Sequence, residues 1–423
     1  MKGLVTGAAA TWVASLCLAL SASIAHAGSS QPFELEASLA FARAAPDQYL
    51  LAYSSNEIDS GPNIYGRVLG ADGTPLGKDF RMSTLDGEMS KPVLAYNPAT
   101  QQFLVVWSRK LYNEHRAEII GLSVGLNGKI VGAEFRMSFS EIYDTRPAIA
   151  YCPGRDRYLV TWTRGTVYNF DRGISDVYGQ FIAGDGATLQ GGNFAIAAAP
   201  RNQFKSDVAC DIVDDRFLVV WEDQRHPASQ DDIYGQLISS DGSMLGENFL
   251  VARTGHIERR PVVAANTRDG TYLVAWESED AGGDTRLFSQ TIDSNGNMLR
   301  QPTPVGAELG GSRNRPAVAY LEQQNVYFLV WDNSAFGASS DGIYGQFLEA
   351  DGKLREDAFP VTTARLGQYR PHVAAARNSF LAVWTDYRDT ANVGQKRAVY
   401  EYYGRVIGND MALSARWRNS ESK

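Results

Sequence analysis

Cysteine is scarce in this chain, three residues in 423. That is too few for a disulfide scaffold, so a hydrophobic core has to hold the fold. Histidine is scarce too, and His115, His226, His256 and His372 are scattered along the chain without metal-ligand spacing. Beyond the first 27 residues no run of about 18 apolar residues occurs, which excludes a further helical membrane span. A basic tract is absent as well: 48 acidic residues oppose 40 basic ones, for a formal net charge of -8. Nucleic acid and anionic membrane surfaces are therefore poor partners. There is no Gly-x-Ser-x-Gly elbow, His-Glu-x-x-His helix, Cys-x-x-Cys pair or phosphate-cradling loop. No metal site is indicated, and any cofactor is left open.

The first segment reads as an address. Lys2 precedes an apolar stretch from Leu4 to Ile24, and Ala25-His26-Ala27 before Gly28 has the small-x-small form that signal peptidase cuts. Residues 1–27 are thus a signal peptide, and 28–423 a single exported domain, periplasmic or secreted. Cys17 raises a lipoprotein alternative, but the bulky Leu16 before it departs from a lipobox. Cleavage would remove Lys2 and leave a net charge of about -9. Of the cysteines that remain, Cys152 and Cys210 pair if their Cα atoms lie within about 7 Å. Two small buried thiols are the alternative.

What the chain has in abundance is a repeat of about 55 residues, seven times over. One aromatic column marks it: Tyr53, Trp107, Trp162, Trp221, Trp276, Trp331 and Trp384. Each copy starts with an apolar run such as Arg146-Pro147-Ala148-Ile149-Ala150-Tyr151 and continues with a second such as Phe217-Leu218-Val219-Val220-Trp221. Successive rather than alternating apolar residues indicate strands covered on both faces. A third strand recurs as Asp232-Ile233-Tyr234-Gly235-Gln236, whose glycine is expected to leave room for a large ring from the neighbouring sheet. Asp72-Gly73, Asn127-Gly128, Asp185-Gly186, Asp241-Gly242, Asn295-Gly296 and Asp351-Gly352 suit tight hairpins rather than calcium loops.

Period and strand count predict an all-β fold, a seven-bladed β-propeller of four-stranded antiparallel blades. The blades are expected at about 38–83, 91–138, 146–197, 205–252, 260–306, 315–362 and 370–419. For the outer strand of the last blade, Trp417-Arg418-Asn419 fits the repeat spacing better than Phe33-Glu34-Leu35, whose link to Ser38 is too short. The Leu-Val-Val-Trp and Asp-Ile-Tyr-Gly-Gln elements resemble repeats of secreted bacterial β-propeller proteins. That resemblance spans nearly the whole mature chain; it implies fold and export and carries over no catalytic residue.

Antiparallel blades place the second-to-third loop and the linker between blades on one rim, where loop lengths vary most. Candidate ligand-binding residues there are Arg109, Tyr112 and His115, then Tyr168, Phe170, Asp171 and Arg172, then Asp223, Arg225 and His226. Glu277, Asp280, Asp386, Tyr387 and Arg388 complete the set. Carboxylates, arginines and aromatics together suit a polar polymer with apolar faces, a polysaccharide or a protein segment. Lys91, Arg146, Lys205, Arg260, Arg315 and Arg370 open the inner strands near the channel mouth, and are expected to pair with carboxylates such as Asp223 and Asp386. Two departures from the repeat stand beside the axis, Asp207 and His372, where other copies have Val93, Ala148, Val262 and Ala317. They are the candidate acid and base. Two functions follow: a non-catalytic exported monomer binding a polymer on its variable rim, or a glycoside hydrolase or polysaccharide lyase using Asp207 and His372.

Overall fold

The computed structural model describes residues 36–56, 62–111, 114–166, 174–226, 231–334, 342–362, 364, 367–386, 401–408 and 413–418. Within them, four-strand groups follow one another. The first comprises β1 (Ala37–Ala42), β2 (Gln48–Asn56), β3 (Pro62–Gly70) and β4 (Phe80–Arg81), the second β5 (Glu88–Asn97), β6 (Gln102–Leu111), β7 (Arg116–Gly125) and β8 (Ile130–Arg136). The third runs through β9 (Tyr143–Cys152), β10 (Arg157–Gly165), β11 (Ser175–Ala183) and β12 (Leu189–Ala197), and the fourth through β13 (Gln203–Asp211), β14 (Arg216–Asp223), β15 (Asp232–Ser239) and β16 (Met244–Ala252). In the fifth are β17 (Ile257–Asn266), β18 (Thr271–Glu279), β19 (Thr285–Asp293) and β20 (Thr303–Val305), in the sixth β21 (Ser312–Leu321), β22 (Val326–Ser334), β23 (Gly342–Glu349) and β24 (Phe359–Thr362). The last holds β25 (Gln368–Ala375), β26 (Ser379–Asp386), β27 (Glu401–Gly408) and β28 (Leu413–Arg418). Within each group the chain runs antiparallel from first to fourth strand, and the second and third groups are joined by one parallel bridge, Ala117 to Tyr143.

Side-chain alternation explains why the second strands are apolar at every position. In β14, Phe217, Val219 and Trp221 enter a cluster shared with the third group, while Leu218 and Val220 enter one shared with the fifth. Each buried cluster joins two consecutive groups in this way. One joins the last group to the first, with Leu381, Val383 and Tyr402 against Leu51, Tyr53 and Tyr65. The Tyr53 and Tyr402 rings meet there at a tilt, centroids 5.2 Å apart. The outer strand of the last group is β28, with Trp417 opposite Gly404, so that strand comes from the C-terminal segment.

The third-strand glycines make room for a ring, but for one from their own group. A Cβ on Gly235 would lie 2.9 Å from Phe249, and one on Gly121 2.8 Å from Phe135, both aromatics of the adjacent outer strand. The neighbouring-sheet expectation fails because the outer strand folds its aromatic back over the glycine gap. Hairpin residues Asn127 and Gly128 take φ of 61° and 76°. The hairpin aspartates turn inward on their own backbone, as when Asp241 accepts the Ser243 N–H at 2.8 Å. Cys152 and Cys210, on adjacent first strands, form a disulfide with Cα atoms 5.6 Å apart. No helix among the described residues is long and apolar enough to cross a membrane.

Candidate functional site

The first strands carry the most unusual backbone in the molecule. Each of β5, β9, β13, β17, β21 and β25 is bulged at its basic residue. Lys91, Arg146, Lys205, Arg260, Arg315 and Arg370 all have φ between 47° and 57°. A long side chain in the left-handed region costs on the order of 1 kcal/mol. The turned-out N–H offsets that cost by donating to the residue after the column aromatic in the preceding group. Arg146 donates to Ser108 at 3.1 Å, Lys205 to Thr163 at 3.0 Å, Arg260 to Glu222 at 2.7 Å, and Arg370 to Asp332 at 3.1 Å.

Their side chains meet carboxylates on the same side. Lys205 reaches Glu222 at 2.8 Å, Arg260 reaches Glu277 at 2.7 Å, and Arg315 reaches Asp332 at 3.2 Å. These are not the expected partners, Asp223 and Asp386, which lie one residue further along in frame and hence on the opposite face. That face belongs to the tryptophans: Trp221 Nε1 donates to Asp223 at 2.7 Å and Trp384 Nε1 to Asp386 at 2.9 Å.

Neutralisation around the bulges is lopsided. The fourth, fifth and sixth groups supply Glu222, Glu277 and Asp332, whereas Ser54, Ser108, Thr163 and Thr385 occupy that position elsewhere. Among the described residues Arg146 makes no ion pair, its nearest second-strand counterpart being Thr163. One further acid serves this side. Glu36 stands where the first group's basic residue would fall, and Lys91 Nζ lies 2.6 Å from its Oε1. Burial would raise the Glu36 carboxyl, yet Lys91, Arg146 and Arg370 hold it below its ordinary value. Glu36 lies one repeat period before Lys91, so the spacing points to it although its sign is opposite to that of the other residues at this position.

Asp207 and His372 have different surroundings. Asp207 accepts the Val263 N–H at 2.8 Å, closing an open backbone donor on the next first strand, and burial pushes its carboxyl up to about 6. His372 is held neutral by burial, its pKa pushed down to about 4, with Glu36 opposing and Arg370 reinforcing. No hydrogen bond links the two residues among the described residues.

The pH response follows from these directions. His372 binds its proton less readily in the folded chain than an ordinary histidine near 6.5, so the stability it contributes is full above that pH and is lost as pH falls toward 4. His372→Gln removes that loss. Between pH 7 and pH 5 the variant is expected to gain on the parent by on the order of 1–3 kcal/mol, read from urea midpoints at each pH. Asp207 and Asp332, both near 6, act in the opposite sense, losing stability as pH rises through that range.

Several rim candidates are engaged in local scaffolding. Arg109 donates to Glu118 at 2.7 Å and to the Asp86 carbonyl at 2.6 Å. Arg225 forks onto Asp223 at 2.9 and 2.7 Å and lies 4.2 Å from the Tyr234 ring. Asp280 accepts the N–H groups of Gly282 and Asp284 within its own turn. His115 is exposed with φ of 52°, and His226 is half-buried. Tyr112, Tyr168, Phe170, Asp171, Arg172, Tyr387 and Arg388 lie outside the described residues. No group of three or more His, Cys, Asp or Glu suited to a metal ion occurs among the described residues.

No protein-family model matches the chain, and no curated protein matches it in sequence. Solved structures do resemble it. The NanB sialidase from Streptococcus pneumoniae superposes with TM-score 0.50 at 7% identity, covering 80% of each chain. A protein of unknown function from Dyadobacter fermentans gives TM-score 0.51 at 10% identity, covering 75% of this chain and 94% of the other. Repeated four-stranded groups, stacked face to face through their first three strands, decide the class. The fold is a β-propeller. At these identities the likeness is one of fold alone. A weaker one, TM-score 0.47 at 9% identity over 88% of this chain and 94% of the other, is to the β-propeller domain of the Trilobed protease from Pyrococcus furiosus.

Proposed function

We propose that the chain is an exported, closed seven-bladed β-propeller that binds an anionic polysaccharide at the axial mouth, without cleaving it. The charge asymmetry of the bulge residues carries this reading. Six cations face four carboxylates, and all four are engaged, Glu36 by Lys91, Glu222 by Lys205, Glu277 by Arg260 and Asp332 by Arg315. The excess positive charge therefore lies toward Arg146, on a protein whose net charge is -8. A uronate carboxylate would gain there what the protein withholds. Closure is supported by the buried cluster linking the last group to the first, and export by the leader-like segment 1–27. The rim residues Tyr168, Asp171, Arg172, Tyr387 and Arg388 would extend the contact to neighbouring sugars.

Titration of the purified protein with polygalacturonate and with neutral dextran tests the proposal. The acidic polymer is expected to bind, with affinity falling as salt rises, and Arg146→Gln to weaken it about tenfold, or 1.4 kcal/mol. Equal binding of dextran, or an unchanged Arg146→Gln variant, would overturn it.

A glycoside hydrolase or polysaccharide lyase acting at the same mouth is the second reading. Its support is that His372, a neutral imidazole, lies in the field of Glu36 and Arg370. Release of unsaturated or reducing ends from the acidic polymer, abolished by both His372→Gln and Glu36→Gln, would establish it; binding without product would leave the first reading standing.

A further inference from the structure

Two residues beyond the column aromatic, the first and second strands form a cross-strand pair that usually contains an acid. Asp144 stands opposite Arg164, Asp223 opposite Gln203, Glu258 opposite Ser278, and Asp386 opposite Gln368. These acids receive buried donors. Asp223 and Asp386 take their tryptophan N–H groups, Glu258 takes that of Trp276 at 2.7 Å, and Asp144 takes both ends of the Arg164 fork at 2.7 and 3.0 Å.

The second and sixth groups break the pattern: Met89 stands opposite Arg109, which turns to Glu118, and Arg313 stands opposite Asn333. Arg313 is 5% exposed, and its Nη2 donates to the Leu309 carbonyl. Its Nε, the Oδ1 of Asn333 opposite it and the indole N–H of Trp331 have no hydrogen-bond partner among the described residues, as is also true of the Trp107 and Trp162 N–H groups. Arg313 and Trp331 border one spot: a Cβ on Gly306 would lie 2.7 Å from Trp331 Cζ2 and 3.4 Å from Arg313 Nε. Arg313 also lines a cavity of about 360 Å³, together with Arg286, Phe288, Pro304 and Leu309. The nearby acids do not fill the gap. Glu308 accepts the Ala358 N–H at 2.6 Å, while Asp280 is 3.9 Å from Arg286 and Asp284 lines the cavity without an ion pair to Arg313. Burial lowers the Arg313 pKa, an effect Glu308 opposes and Arg286 deepens.

We infer that this cavity binds a small organic carboxylate, whose anionic end replaces the missing acid beside Arg313 and whose apolar body lies against Phe288, Pro304 and Leu309. A buried donor left unpaired costs about 1–3 kcal/mol, so an acceptor arriving at this point relieves a cost the folded protein already carries. A guanidinium favours a carboxylate over a neutral hydroxyl because charge and planar fork both match. The volume sits at the small end of ligand pockets, the size of one sugar acid or aromatic acid. The cavity shares no lining residue with the bulge cations and their carboxylates, and the inference stands whether or not the mouth binds a polymer.

The test titrates the purified protein with benzoate and glucuronate against benzyl alcohol and glucose, following the Trp331 indole N–H by NMR and the affinity by calorimetry. At least one carboxylate is expected to saturate and shift the Trp331 signal, with its neutral counterpart silent. Asn333→Asp supplies the missing acid from within the protein. It is expected to raise the unfolding temperature and weaken carboxylate binding at least tenfold, and Arg313→Gln to abolish it. If Arg313→Gln does not fold, Asn333→Asp decides alone. Arg146→Gln, at the mouth, is expected to leave these affinities unchanged. Neutral compounds binding as well as carboxylates, or full affinity in Asn333→Asp, would overturn the inference.

Discussion

Trp221→Ala is expected to destabilise the protein by about 3–5 kcal/mol, the range for deleting a fully buried large aromatic. Trp221 is 0% exposed and sits in the cluster shared by the third and fourth groups, so the cavity opens at a contact between blades rather than inside one. A second loss comes from the indole N–H. Asp223, which accepts it, also orients Arg225 over Tyr234. Trp221→Phe is therefore expected to cost more than Trp162→Phe, since the Trp162 N–H has no partner among the described residues to strand. Guanidinium denaturation gives both differences, or unfolding half-lives if the transition is irreversible. Equal costs for the two Phe variants would show that Asp223 does not depend on the indole.

Replacing both Cys152 and Cys210 by serine is expected to cost about 2–4 kcal/mol. The bond ties first strands of adjacent groups across a sequence separation of 58 residues, and most of its effect comes from restricting the unfolded chain. Treating the parent protein with a thiol reductant under unfolding conditions should lower its midpoint to that of the double variant. A midpoint indifferent to reductant would mean that the two thiols are not joined in the isolated protein.

Much of this architecture was legible from residue order. The Trp column, the doubly apolar second strands and the Asp-Gly turns each act through local backbone geometry or strand alternation, and their period is visible without a structure. The outer strand at Trp417 could be read from spacing for the same reason. The partners of the cations were misread by one residue. Glu222 and Asp223 are adjacent in the chain, and only strand pairing decides which of them faces the bulged arginine and which the tryptophan. Arg109 and Arg225 looked like free rim groups because Glu118 and Tyr234, which they meet, come from neighbouring strands.

The sequence by itself determined an all-β repeat of about 55 residues, because strand periodicity and turn chemistry are local properties that recur with the chain. The tertiary structure decided which charges are already satisfied. It gave Lys205, Arg260 and Arg315 their own carboxylates, set Glu36 against Lys91, and left the Nε of Arg313 and the indole N–H of Trp331 without an acceptor among the described residues. These outcomes depend on groups brought together from distant parts of the chain in a buried environment, where a single missing carboxylate is costly and residue order alone does not show it.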